Sequence, residues 1–393
     1  MSKKPKRRGP ETGAAPEKSA SKRGRSKRSV SNNVASNNVA SKKYTSKKLA
    51  SKRASSEKDA SEPKESTASP NHTSSPTHRS ALGRWWFALK PASWPKLLVP
   101  ALLGQSLGFY HAHYEADADE LRLSLVSWPA IGLGLAFTLL LLIYIVCLND
   151  VGDRVVDAQK RKMFPKSSKK TLFDGVLTAR ALGTVGILAG AGVVSVMVVA
   201  GVVLERSLAW AYGLLALLVF LAYTFPPLKL NYRGGGEFLE MLSVGFLLPL
   251  AHAYLQGGAL WPRHAVAVLG GFTLLALASA VASGLSDERS DRAAGKRTVA
   301  SRYGNRAARF SVEVLAAGGA IFWIAIGGWV EPELAWALVP GGLVVFFFLW
   351  SLVVHSKRAK TDAFSAQRAY KGFLHRGIWL SGTVVAFLLP ISD

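Results

Sequence analysis

The chain has 393 residues and a net charge of +24, yet 49% of it is hydrophobic. Charge and apolarity on that scale cannot share one soluble core, so they must be segregated along the sequence. The single cysteine, Cys147, excludes an intrachain disulfide and gives no sign of an oxidising compartment; a small buried apolar role suits it.

Residues 1–80 hold 20 Lys and Arg against 6 Asp and Glu, in a background of Ser, Ala and Asn. Near-repeats such as SNNVASNNVA (31–40) mark low complexity, and the segment is too polar to offset its chain entropy by burial. It reads as a disordered cytoplasmic tail with no apolar core of the signal-peptide kind. Anionic lipid headgroups or nucleic acid are the partners such a charge attracts.

From about residue 92, apolar segments of bilayer length alternate with short polar loops. Nine spans are expected, over 92–110, 129–148, 179–203, 208–224, 238–256, 264–284, 309–330, 334–354 and 374–391. The fold class is therefore all-α: a polytopic membrane protein, its helices bundled around a central cavity. With the N-terminus inside, the inner loops carry 20 Lys and Arg and the outer loops 3. Basic residues are retained on the cytoplasmic side, so the tail is expected inside, the C-terminus outside, and the chain in the inner (plasma) membrane.

The second span ends directly in LNDVGDRVVD (148–157). On a helix, Asp150, Asp153 and Asp157 fall within roughly 60° of one another and make one carboxylate face. A second acidic run, SGLSDERSDRAAGKRT (283–298), follows the sixth span on the same side, with Asp287 and Asp291 four apart. Such faces repel themselves near a low dielectric, and a hard divalent cation is their natural counter-charge. Mg²⁺ suits a few carboxylates, retained waters and phosphate oxygens, so two facing clusters would grip a diphosphate.

A basic partner lies between them in YTFPPLKLNYRGGGE (223–237). Lys229 and Arg233 are candidates to neutralise phosphate oxygens, as are Arg154, Arg292, Lys296 and Arg297 within the acidic runs. Glu237 and Glu240 could support the Lys229 loop. His252, inside the fifth span, reads as an interhelical hydrogen-bonding residue, and His111 and His113 on the outer loop are weak evidence for metal.

NDVGDRVVD resembles the NDxxDxxxD motif of the UbiA superfamily of intramembrane prenyltransferases. SDERSDRAAGKRT resembles that family's second, DxxxD motif, and YTFPPLKL its tyrosine and lysine loop; the order and spacing agree over about residues 84–393. The resemblance implies a lipid-open helical bundle in which Mg²⁺ helps the diphosphate of a polyprenyl chain depart, leaving an allylic carbocation for an electron-rich, commonly aromatic, acceptor. It implies further that Asn149, Asp150, Asp153, Asp157, Asp287 and Asp291 bind diphosphate through the metal, and that Tyr223 and Lys229 meet the leaving group or reacting centre. DRAAGKRTVASRYG and the stretch 234–258 resemble the menaquinone-type branch, which implies a dihydroxynaphthoate acceptor. The alternatives are a non-aromatic or other lipid acceptor, or a transporter; against the latter, the acids sit at one membrane edge rather than at mid-depth.

Overall fold

The computed structural model describes residues 80–115, 126–165, 170–355, 361 and 363–391, and every regular element within them is helical. The basic tail expected over 1–80 lies, apart from Ser80, outside the described residues. Ser80 caps α1 (Ala81–Ala88), its Oγ accepting from the Gly83 N–H at 3.1 Å. Lys90, at φ 49°, then turns the chain through one 3₁₀ turn into α2 (Pro95–Glu115). Next come α3 (Trp128–Gly152), α4 (Arg154–Met163), α5 (Ala179–Val203) and α6 (Ala209–Thr224). Short helices α7 (Leu230–Arg233) and α8 (Gly236–Leu242) lead through a π turn at Ser243–Leu247 into α9 (Leu248–Gly257). The remaining helices are α10 (Ala265–Ser283), α11 (Glu288–Ala293), α12 (Val299–Ala325), α13 (Ala335–His355) and α14 (Phe364–Leu388).

Each of the nine expected spans coincides with one of the long helices, the fifth being α8, the π turn and α9 together. Seven helical stretches among the described residues are long and apolar enough to cross a bilayer; α6, at 16 residues, is shorter, and α2 is not among the seven. The reason for α2 is local. Polar residues in its interior are turned inward rather than toward lipid, so it does not need a uniformly apolar surface: Ser106 is buried, and Gln105 reaches the imidazole of His252, Nε2 to Nδ1 at 3.0 Å. The other nitrogen of His252 meets the hydroxyl of Thr138 at 2.8 Å, so this buried histidine is an interhelical hydrogen-bonding residue, as its sequence setting suggests.

The bundle turns an apolar surface outward. On α13, Leu343, Phe347, Trp350 and Val354 are exposed at helical spacing, as are Ile187, Leu188, Val198 and Val202 on α5. A belt of this kind would aggregate in water and is what contact with lipid tails requires, so the chain is a multi-pass membrane protein. Inside, α10 is central, with Phe272, Leu275 and Ala278 wholly buried among α2, α12 and α14.

Small residues let α2 and α9 approach closely. A Cβ at Gly108 would lie 2.4 Å from the carbonyl oxygen of Ala253 and 2.9 Å from its Cα, backbone atoms that cannot move aside cheaply. Gly108→Val is therefore expected to destabilise the bundle by about 1–3 kcal/mol or more. Thermal unfolding in detergent reads this directly; an unchanged melting temperature would show that the two helices can separate without loss.

Candidate active site

Asp153 is the joint between α3 and α4, with φ −91° and ψ 16°. The helical hydrogen bonds nonetheless run through it, Asp153 N–H to Asn149 O and Asp157 N–H to Asp153 O, both at 2.9 Å. The carboxylate face expected of a continuous helix thus survives a bend. What sets the bend against α6 is Gly152, where a Cβ would meet the Thr224 methyl at 2.3 Å. After α10, a 3₁₀ turn at Leu285–Asp287 and then α11 carry the second pair of acids.

Asp150, Asp153, Asp157 and Asp291 are 3, 8, 8 and 2% exposed, so water cannot be what neutralises them. Lysines do. Lys90, from the α1–α2 turn, pairs with Asp150, and Lys170, from the loop after α4, pairs with Asp157. Lys160 of α4 pairs with Asp287, which also accepts from Ser286 Oγ at 2.9 Å. Lys296 lies 3.5 Å from Asp153 Oδ2, while its backbone N–H donates to the carbonyl of Asp291 at 2.8 Å. Lys160 and Lys296 therefore tie the first acidic segment to the second, and the two clusters meet at one end of the bundle.

The basic loop joins them through a residue that the sequence did not single out. Tyr232 donates from its hydroxyl to Asp153 Oδ1 at 3.1 Å, with the Lys229 ammonium over its ring at 3.8 Å and that of Lys296 at 5.6 Å. Burial and then the charge of Asp153 push the Tyr232 phenol well above its ordinary pKa, which keeps it a donor. Burial likewise raises the Asp157 carboxyl, against the opposing pull of Lys170. Lys170 is disfavoured as a cation by burial, but Asp157, Asp287 and Asp150 outweigh this and raise its pKa.

Of the residues expected to touch diphosphate, Asn149 donates to Asp153 Oδ2 at 3.4 Å, and Lys229 and Lys296 belong to the cluster. Arg154 and Arg233 are exposed. Arg292 is exposed too and braces its own surroundings, pairing with Glu288 at 2.7 Å and donating from Nε to the Ser301 carbonyl at 3.0 Å. Glu237 accepts from the Val299 N–H at 2.7 Å, which fastens α8 to the start of α12. Lys90, Lys160 and Lys170 went unnoticed because a lysine near a membrane edge looks like topology charge until its partner is seen across the fold.

A cavity of about 310 Å³ opens beside the acids, walled by α2, α3, α6, α8 and α9. Its sides are apolar, among them Phe137, Leu141, Ile145, Val219, Phe220 and Leu248. Lys90, Lys96, Asn149, Tyr223, Glu240 and Ser243 line it at the helix ends nearest the acids. A greasy slot with a charged rim suits an amphiphile whose head is anionic.

Among the described residues, the one group of three metal-ligating side chains with ligand atoms all within 4.8 Å of one another is His264, Glu331 and Glu333, at the opposite end of α10. At the aspartates, ammonium groups already sit against the carboxylates, so the donor set is one that cations fill.

The UbiA prenyltransferase family model matches residues 122–375, which hold both acidic segments, the basic loop and most of the cavity wall. The chain belongs to the UbiA prenyltransferase family. A lycopene elongase/hydratase of Halobacterium salinarum is 31% identical over 248 residues, 61% of this chain and 78% of that protein. A UbiA homolog from Archaeoglobus fulgidus, solved bound to GPP and Mg²⁺, superposes with a TM-score of 0.52 at 17% identity, over 77% of this chain and 99% of its own. The apo structure of a UbiA homolog from Aeropyrum pernix K1 gives 0.51 at 14% identity, over 72% and 96%. At such identities these two establish the shared fold, and the family membership makes the chain a prenyltransferase by class.

Removing one partner of a buried ion pair leaves the other uncompensated. Lys170→Met is expected to cost about 3 kcal/mol in metal-free buffer, whereas Arg154→Met, at an exposed position, should stay within about 0.5 kcal/mol. Denaturation in EDTA compares them; equal effects would show that the Lys170–Asp157 pair contributes nothing.

Proposed function

We propose that this protein transfers a prenyl group from its diphosphate to a lipid-soluble acceptor held in the apolar cavity, with the diphosphate bound at the aspartate cluster. The observation that carries this reading is the junction of two environments: a cluster of five aspartates, four of them paired with lysines, beside a slot with hydrocarbon walls whose rim Lys90 and Asn149 share. An isoprenoid diphosphate has the same division, and its tail and head must part company at such a boundary.

Asp150, Asp153, Asp157, Asp287 and Asp291 would hold Mg²⁺, with Asn149 beside them. When bound, the ion draws charge from the bridging oxygen and makes diphosphate a better leaving group. Lys229, Lys296, Lys90 and Lys160 supply fixed positive charge as negative charge builds on the departing oxygens. Tyr223 stands at the cavity rim, where the allylic carbon would lie. Arg154, Arg233 and Arg292 are left out of this assignment because their side chains face solvent.

For the acceptor we favour an apolar isoprenoid such as a polyene. The relative named for lycopene supports it, as does a cavity wall with few groups to bind a polar ring. An aromatic quinone precursor, a dihydroxynaphthoate by resemblance to the menaquinone-type branch, is the second reading; Lys96 at the rim is the cation that would meet its carboxylate. The excess of Lys and Arg in the loops at the aspartate end supports a cytoplasmic position for that end in an inner (plasma) membrane, with the N-terminus on that side and the C-terminus outside. The basic tail would then lie near anionic lipid.

Purified protein supplied with Mg²⁺ and a prenyl diphosphate is expected to release diphosphate and prenylate lycopene, or else 1,4-dihydroxy-2-naphthoate, as read by mass spectrometry. EDTA, Asp153→Ala or Asp291→Ala should lower the rate by at least about 100-fold, since each removes part of the charge that stabilises the leaving group. Wild-type turnover in EDTA would sink the metal, and normal turnover in both variants would sink the site.

A further inference from the structure

Beyond ionisation, prenyl transfer has a second requirement that the aspartate cluster does not meet. When the allylic C–O bond breaks, both electrons leave with diphosphate. A π pair of the acceptor then forms the new C–C bond, which moves the positive charge onto the acceptor. Neutrality returns only when an adjacent C–H bond gives its electrons back to the acceptor and its proton to a base. Polyene and aromatic acceptors share this step.

Among the residues that line the cavity, Glu240 is the sole carboxylate. It stands on α8, across the slot from Asn149 of α3, and next to the π turn whose Ser243, Val244 and Leu247 form part of the same wall. Its side chain is 14% exposed and its partner is Lys96 of α2, at 2.5 Å. Glu237, one helical turn earlier, is already committed to the Val299 N–H. Asp150, Asp153, Asp157 and Asp287 are matched by lysines, and these four and Asp291 lie outside the cavity lining.

We propose that Glu240 is the base that takes the proton from the prenylated acceptor cation, a role that rests on the transferase reading above. Its negative charge also steadies the cation before the proton leaves. Lys96 is a positioning residue: its ammonium, 2.5 Å from Glu240 Oε1, holds the carboxylate at the cavity rim. The proton exits by the rim, where Lys96 is partly exposed to solvent. Ionisation and proton removal are thus assigned to two separate carboxylate sets that share one cavity mouth.

The test measures coupled product per diphosphate released, using dimethylallyl or geranyl diphosphate, Mg²⁺, and whichever of lycopene and 1,4-dihydroxy-2-naphthoate the wild type prenylates. Glu240→Gln is expected to lower that ratio by about 100-fold, the scale of a lost general base, with prenyl alcohol formed instead. Glu240→Ala should regain part of the ratio with sodium formate, a response that a merely structural brace would not give. A wild-type ratio in Glu240→Gln would overturn the assignment. So would a loss in Glu240→Ala that follows its melting temperature and ignores formate. A wild type that releases no diphosphate with either acceptor would instead bring down the transferase reading, and the role of Glu240 with it.

Discussion

The arrangement depends on one electrostatic constraint: carboxylates carried out of water at the end of a membrane bundle must be matched by cations. Asp150, Asp153, Asp157 and Asp291 are each under a tenth exposed, and lysines from four separate segments pair with the first three and with Asp287. Those lysines do more than neutralise. Lys160 on α4 holds the segment after α10, and Lys296 holds the joint after α3, so charge matching also draws the two acidic segments into one site. A buried pair adds little net stability, because desolvation offsets the Coulomb attraction. What the pairs contribute is geometry that a purely apolar seam could not specify.

Much of this was legible in the sequence, for identifiable reasons. Bilayer thickness sets the length of a span, and each apolar segment fell on a helical stretch, seven of which among the described residues are long and apolar enough to cross. Helical periodicity put Asp150, Asp153 and Asp157 on one face, and the bend at Asp153 did not spoil it because the hydrogen bonds continue. Pairings across the fold were not legible. Nothing local to Lys160 indicates Asp287, 127 residues away, nor does anything local to Tyr232 indicate Asp153. Arginines beside the motifs looked like phosphate ligands by proximity, yet Arg154 and Arg292 turn outward, since adjacent helical residues point about 100° apart. The helix α1 was missed because eight residues are too few to register as a span.

In the proposed reaction, the cavity would keep the second half of the chemistry apart from the first. Ionisation needs dense charge, whereas a carbocation and its acceptor need a dry surround in which water cannot capture the intermediate. The walls supply the dry part, with Phe137, Leu141, Ile145 and Phe220, and polar groups are confined to the rim. The π turn at Ser243–Leu247 belongs to that wall, and the Thr273 hydroxyl satisfies the carbonyl of Gly245 within it at 3.1 Å. An irregular turn of this kind is tolerable at membrane depth only where its backbone finds partners.

The lysines impose a further condition on any metal at the aspartates. With four ammonium groups already paired to four of the five carboxylates, and burial pushing the pKa of the fifth, Asp291, up to about 7, the site is close to neutral as it stands. A divalent cation arriving by itself must displace ammonium groups into a partly buried volume, where unpaired positive charge is costly. Arriving together with a diphosphate, it brings the anion that the displaced lysines can turn to, and the sum stays near balance. Substrate head and metal are therefore favoured as joint entrants. The same exchange would leave the lysines facing the phosphate oxygens at the moment the allylic bond gives way, where fixed positive charge lowers the barrier most.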